Sequence, residues 1–472
     1  MAFNSLTFLI FFAVVLAAHS LPLEWRLKKT NLLVASYVFY AAWNPPFIVL
    51  LWISTLTDWF AAQRVAASTG HRKKMFLALS IVVNLGLLGY FKYGHFLEEN
   101  LSALLALFDI AYAVPDTNII LPLGISFYTF QSMSYSIDVY RGKIKPAESL
   151  LDFALYVSFF PQLVAGPIIR ARFFIKQLGE NDWRRVQDIG WGATLITLGM
   201  FQKVVLADGL LAPVVETVYG AASDASGVDA WIGTLAFAGQ IFFDFNGYSV
   251  IAVGLARCLG FKLPWNFLSP YAAIGFSEFW RRWHVTLSAW LRDYLYISLS
   301  GSRRGPLRTF FNLSVTMLLG GLWHGASWLF VLWGAAHGAL LIIEHAGKQL
   351  FAGQRQFLDH KAVQGFLGMV TFIAICLTWV LFRADNLDSA GALFAAMLFP
   401  LQAATLVTSS DITAVVFVMA GLLAAHIFMR HRSFDRTLKS LPWPFLATLI
   451  AAMLLAILLS PGEERDFIYF EF

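Results

Sequence analysis

Charge is what this sequence has least of. Of 472 residues, 13% are Asp, Glu, Lys or Arg and 58% are apolar, with a mean hydropathy of +0.66. A soluble domain carries roughly 25% charged residues and cannot conceal so many uninterrupted apolar runs, so a soluble fold is untenable. Cysteine is scarce too. Two thiols, Cys258 and Cys376, in or beside apolar sequence, give no basis for a disulfide framework or a cysteine-rich metal site. There is no Walker loop and no Rossmann glycine pattern, which argues against an ATP-driven transporter, and there is no HExxH-type metal signature. Nor is there a continuous basic face. The net charge of +5 comes from short clusters between apolar runs: Arg26, Lys28 and Lys29; Arg72, Lys73 and Lys74; Arg430, Arg432 and Arg436. Nucleic acid would need a continuous basic surface. Clusters of this kind mark loops retained in the cytoplasm by the positive-inside rule.

What the sequence does have is long apolar segments. Candidate spans lie near 6–21, 75–91, 189–207, 232–254, 364–382, 411–429 and 441–459. Most approach the length of about twenty residues that crosses a bilayer, and only helices satisfy their own backbone there. The first run begins directly after Asn4, has no basic n-region and leads into Leu23-Glu24-Trp25-Arg26. It reads as a first span with the N-terminus outside rather than a cleaved signal. Residues 31–61, interrupted by Asn44-Pro45-Pro46, read as a hairpin of two short helices, because that keeps every basic cluster inside. Residues 118–137, with Pro122, Gly124 and Gln131, and residues 151–169, with Pro161, Gln162, Gly166 and Pro167, are broken apolar stretches. Such breaks either line a substrate-holding interior or are structural kinks. The segment 255–310 mixes Arg257, Lys262, Glu278, Arg303, Arg304 and Arg308 with aromatics and is too charged to span simply. It predicts amphipathic or re-entrant helices at the cytoplasmic surface. Residues 309–343 predict one long helix or two short ones broken near Gly320-Gly321. The whole reads as a single domain, residues 1–472, all-α and polytopic, with about eleven helices crossing or entering the membrane.

Polar residues in apolar surroundings are the functional pointers. His324, in Gly320-Gly321-Leu322-Trp323-His324-Gly325-Ala326-Ser327, can take a proton from a nucleophile and return it to a leaving group. Small neighbours would let substrate approach and Trp323 would form a wall; the plain alternative is a packing histidine bonded across helices. His284 follows Glu278-Phe279-Trp280-Arg281-Arg282-Trp283, where Arg281 and Arg282 could hold phosphates or anchor to lipid headgroups. Asp244 and Asn246, within Phe243-Asp244-Phe245-Asn246-Gly247-Tyr248-Ser249, lie in an expected span. A carboxylate there needs an Arg or helix termini as partner, and a structural role is as open as a catalytic one. His337 follows thirteen residues after His324, near the same side if the helix is continuous. Two histidines without further ligands do not make a metal site.

These residues carry a resemblance. The stretch from Phe279 to Ser288, continuing through Arg292-Asp293-Tyr294-Leu295-Tyr296, resembles the membrane-bound O-acyltransferase family, and within it the bacterial branch that acetylates exported polysaccharides. Pro161 to Pro167 (PQLVAGP), Phe243 to Ser249, Gly320 to Ser327 and the ending Phe467-Ile468-Tyr469-Phe470-Glu471-Phe472 fit as well. The likeness runs over most of the chain and is densest from 240 to 340. It implies a ring of tilted, broken helices around a central funnel, with His324 as the catalytic histidine and His284 as the second family histidine. Trp323, Asp244, Asn246, Arg281, Arg282 and Arg292 would support substrate. Acetyl would come from cytoplasmic acetyl-CoA, with no bound cofactor or metal, and pass through the inner membrane to a periplasmic or membrane-anchored partner acetyltransferase acting on the polymer, alginate foremost. The ending matches the Phe-x-Tyr-x-x-Phe motif of the related D-alanylation system, which makes Tyr469 either an acyl relay or an interfacial anchor. With Arg430 to Arg436 inside, residues 461–472 form an extracytoplasmic tail. Val250 stands where alginate-type members usually carry Asp, and Glu471 where they often carry Gln. Cellulose, another exopolysaccharide or peptidoglycan are alternative acceptors. A transporter or an export-complex scaffold are the rivals from other classes.

Overall fold

A computed structural model describes residues 1–114, 119–179, 188–399, 404–460, 465, 467 and 468. Among these residues the secondary structure is helical and no strand occurs. Six helices are long and apolar enough to cross a membrane: Pro45–Ala67, Gly70–Ala106, Ile189–Gly220, Trp328–Leu350, Lys361–Arg383 and Ser409–Met429. Leu6–Ser20, Leu387–Leu398 and Trp443–Leu459 are shorter apolar helices. The expected span 232–254 lies inside a helix of 32 residues, Gly227–Cys258. The chain forms two compact units.

The first unit comprises Met1–Ala193 and Ile251–Pro264. The expected hairpin around Asn44-Pro45-Pro46 is present as Trp25–Ala41 and Ile48–Ala67, separated by a 3-10 turn at Pro45–Phe47. Proline lacks the N–H that would continue the first helix. Gly70–Ala106 runs for 37 residues, well beyond the expected 75–91. Asp58 joins three helices. It accepts from Asn84 Nδ2 at 2.8 Å, from Ser136 Oγ at 2.9 Å and from Ser80 Oγ. A carboxylate buried this deeply needs such donors.

The two broken stretches lie in this unit and depend on each other. Ile125–Tyr140 starts after Gly124, whose φ of +73° suits glycine. A Cβ at Gly124 would also lie 2.7 Å from the Leu163 carbonyl. Leu150–Ser158 ends where Phe160 N–H turns away and donates to Ser36 Oγ at 3.2 Å. The Tyr156 carbonyl is left without its helical donor. The side-chain amides of Gln131 (2.5 Å) and Gln162 (2.9 Å) supply it instead. Phe160–Leu163 then makes a single further turn. Buried backbone is thus satisfied by side chains, so the break reads as a structural kink.

The second unit comprises Thr194–Val250 and Trp265–Phe472. The helical run from Ile189 opens into a π-helix over Phe201–Leu211 and closes again in Ala212–Gly220. The amphipathic stretch resolves into Phe276–Arg282, Val285–Trp290 and the π-helical Leu291–Tyr296. Phe279, Trp283, Leu287 and Tyr294 turn inward and Arg281, Arg292, Arg303 and Arg304 outward. Pro306–His324 and Trp328–Leu350 form a close pair. The chain breaks at Gly325–Ser327, not at the expected Gly320-Gly321. Those glycines serve packing instead. A Cβ at Gly321 would overlap the Phe330 carbonyl, and one at Gly334 the Met317 carbonyl. Backbones approach this closely only where side chains are missing.

Candidate functional site

His324 is the last residue of the Pro306–His324 helix and is 3% exposed. Three rings enclose its imidazole: Trp323 at 5.0 Å, Trp333 at 5.0 Å and Phe382 at 5.3 Å. Gly325 makes room for the Phe330 ring, and a Cβ at Gly320 would lie 3.2 Å from Leu291 Cδ1. The glycines accommodate protein.

His284 is fully buried and sits at the joint between two short helices with φ +40° and ψ +56°. A non-glycine residue in this left-handed region is costly and persists where its surroundings over-determine it. Here the surroundings are specific. Val285 N–H donates to Asn266 O at 2.8 Å, Thr286 Oγ1 donates to Asn266 Oδ1 at 2.7 Å, and the Phe245 ring stands 4.7 Å from the imidazole. Trp323 lies 5.9 Å from His284 as well as beside His324, so one indole touches both histidines.

Arg281 is exposed. Arg292 is exposed too and pairs with its neighbour Asp293 at 2.8 Å. Arg282 is committed within the protein. It contacts Glu278 at 2.8 Å and donates to the carbonyls of Leu268 (2.9 Å) and Arg430 (3.1 Å), while Arg430 reaches Glu278 at 3.0 Å. Partial burial raises the Glu278 pKa. The Ile274 N–H, Arg282 and Arg430 outweigh burial and hold the carboxyl below its ordinary range.

His337, 0% exposed, bonds to Thr378 Oγ1 at 3.1 Å and packs 4.5 Å from Trp333 and 5.0 Å from Trp280. Because the helix breaks after His324, the thirteen-residue spacing does not place the two histidines on one continuous helix. His337 is a packing residue bonded between helices. Among the described residues, no group of three His, Cys, Asp or Glu side chains could hold a metal ion.

Asp244 is 2% exposed, and among the described residues its ion-pair partner is a lysine rather than the expected Arg. Lys203 Nζ lies 2.6 Å from Asp244 Oδ1 and 2.9 Å from Asp208 Oδ1. Neither Lys203 nor Asp208 is among the residues expected from the sequence, although two charges five residues apart at an expected span are a visible signal. Asp244 Oδ2 also accepts the backbone N–H of Ile468 at 2.8 Å. Phe467 packs 5.6 Å from Phe245 and 4.7 Å from Tyr248. Tyr469 lies outside the described residues. Asn246 donates to Gln202 Oε1 at 2.8 Å. Asn246 and Gln202 line a cavity of about 630 Å³ together with Phe243, Val250, Phe417 and Arg282.

The family model described as MBOAT, membrane-bound O-acyltransferase family, matches residues 147–382. This interval contains His284, His324 and Asp244. Over 399 residues the chain is 42% identical to the Azotobacter vinelandii protein named "Probable alginate O-acetylase AlgI", covering 84% of this chain and 78% of that protein. The Pseudomonas aeruginosa protein of the same name is 42% identical over 400 residues, 84% of this chain and 75% of its own length. The Helicobacter pylori "Peptidoglycan O-acetyltransferase" is 36% identical over 392 residues, 77% of this chain and 72% of that protein. The chain belongs to the membrane-bound O-acyltransferase family. It is a multi-pass membrane acyltransferase.

Proposed function

We propose that the protein takes acetyl from acetyl-CoA at the cytoplasmic face of the bacterial inner membrane and passes it outward for O-acetylation of an exported polysaccharide. One observation carries the reading: two buried histidines from separate segments meet one indole within the family-matched region. Relatives named for alginate and for peptidoglycan point to polymer O-acetylation as the shared chemistry. Alginate is the foremost acceptor because the more similar relatives bear that name. Cellulose and other exopolysaccharides share the reactive hydroxyl.

His324 serves as general base. It removes the proton of an attacking hydroxyl as that oxygen bonds to the thioester carbonyl carbon, then returns it to the CoA sulfur as the carbon–sulfur bond breaks. A tyrosine hydroxyl, with a pKa near 10, gains from proton removal in the transition state, and positioned acid–base catalysis contributes about 10²–10⁴-fold. His284 assists beside it. Tyr469 is the first acyl carrier, handing acetyl to a periplasmic or membrane-anchored partner acetyltransferase. Exposed Arg281 and Arg292 meet the donor phosphates, Arg282 braces their segment, and Trp323, Asp244 and Asn246 support the site. Both termini are periplasmic, and the scheme needs no resident cofactor or metal.

The test is transfer from radiolabelled acetyl-CoA in membranes, comparing wild type, His324→Ala and Tyr469→Phe at matched protein levels. Label on this protein or a partner that vanishes with His324→Ala supports the proposal, and loss with Tyr469→Phe supports the carrier. Equal labelling in all three sinks both roles.

A further inference from the structure

The described C-terminal residues make three polar contacts with two helices of their own unit. Ser460 Oγ reaches the Val204 carbonyl at 3.4 Å, Arg465 pairs with Glu216, and Ile468 N–H donates to Asp244. The first two contacts fall on the helical run Ile189–Gly220, and the third on Gly227–Cys258. Between these helices lies a buried set of charges that no catalytic step uses. Its construction is specific. The π-helix Phe201–Leu211 brings residues five apart onto one face, so Lys203 meets Asp208. Gly247 brings the partner helix close, since a Cβ there would lie 2.8 Å from the Gly199 carbonyl. One helical turn before Gly247, Asp244 therefore reaches Lys203.

Keeping a lysine and two aspartates buried is costly unless every charge finds partners. Lys203 occupies Asp244 Oδ1 and leaves Oδ2 facing the chain end. Ile468 N–H fills that place, and Phe467 beside it closes over Phe245 and Tyr248. Phe245 in turn packs against His284. A polar cavity of about 180 Å³, lined by Lys203, Asp208, Glu216, Arg383 and Arg465, continues beside the contact.

We propose that Asp244, held by Lys203, is a positioning residue: it seats Ile468 through its N–H and so keeps Phe467 against Phe245, the ring that packs on His284. The catalytic half of this inference rests on the acetyl-transfer proposal above; the seat does not.

The test uses the full chain with Cys258→Ala and Cys376→Ala, whose thiols are both buried. Ile468→Cys is added as a reporter for maleimide labelling in membranes. Asp244→Ala is expected to raise labelling by about tenfold or more, with Asp244→Asn in between because it keeps an acceptor oxygen. Acetyl transfer should fall by a similar factor in kcat with KM for acetyl-CoA unchanged. Equal labelling with and without Asp244 overturns the seat. Faster labelling with undiminished kcat overturns positioning and leaves the acyl-transfer proposal standing. Faster labelling in a chain whose parent transfers no acetyl overturns that proposal and leaves the seat. A Ser54→Cys reporter in the other unit controls for unfolding; if Asp244→Ala exposes it, the Asp244→Asn comparison decides by the same criterion.

Discussion

Trp323 packs its indole 5.9 Å from the imidazole of His284, a residue from another helical segment, while its chain neighbour His324 lies 5.0 Å from the same indole. The indole spaces the two histidines. Trp323→Ala should therefore lower acetyl transfer by about tenfold or more, and Trp323→Phe by less. A truncation of this size also costs about 3–5 kcal/mol in a packed core, so turnover is to be measured per folded molecule.

The helix pair Pro306–His324 and Trp328–Leu350 depends on missing side chains. Gly321→Ala should destabilise the protein by about 1–3 kcal/mol, because the new methyl group overlaps the Phe330 carbonyl and backbone cannot yield cheaply. Gly86→Ala, where a Cβ meets nothing within 4 Å, is the control. Thermal unfolding of both variants in detergent checks the contrast.

His337 bonds to Thr378 at 3.1 Å inside an aromatic cluster. His337→Ala is expected to lower the thermal midpoint while the folded fraction retains its kcat. A fall in kcat matching that of His324→Ala would assign it chemistry instead.

Glu278 gives the pH prediction. Its folded pKa lies below the unfolded value, so the unfolded state binds the proton more readily. The stabilisation is therefore present above the unfolded pKa of about 4.3 and disappears as pH falls through the folded pKa. Wild type should lose thermal stability on acidification through this window by more than Glu278→Gln does. Similar slopes for the two proteins would show that the Arg282 and Arg430 pairs contribute nothing there.

The sequence was most informative where a single residue dictates local geometry. Pro45 and Pro46 ended one helix, and the charges of 255–310 marked short helices with arginines outward and aromatics inward. His284 and His324 stood out because imidazole is unusual in apolar surroundings, and the motifs around them pointed to the family. Relations between distant residues were not legible. Gly320-Gly321 looks like a helix breaker until Phe330 is seen to occupy the space. Lys203 reads as a charge at the edge of a span, since nothing local announces a π-helix or reveals Asp244. Nothing near Ile468 in the sequence reveals that its N–H meets a carboxylate 224 residues earlier.

The kink after Ser158 also has a bearing on the order of events at the ribosome. Its capping partners Ser36 and Gln131 precede it in the chain, and Gln162 follows by a few residues, so the interruption can be satisfied almost as soon as it is made. Asp244 stands in the opposite position. It has Lys203 as an early ion-pair partner, but Ile468 follows only 224 residues later. A nascent chain that has not yet reached Ile468 therefore holds the Lys203 pair already made and this one acceptor position still open, 224 residues after Asp244 was laid down.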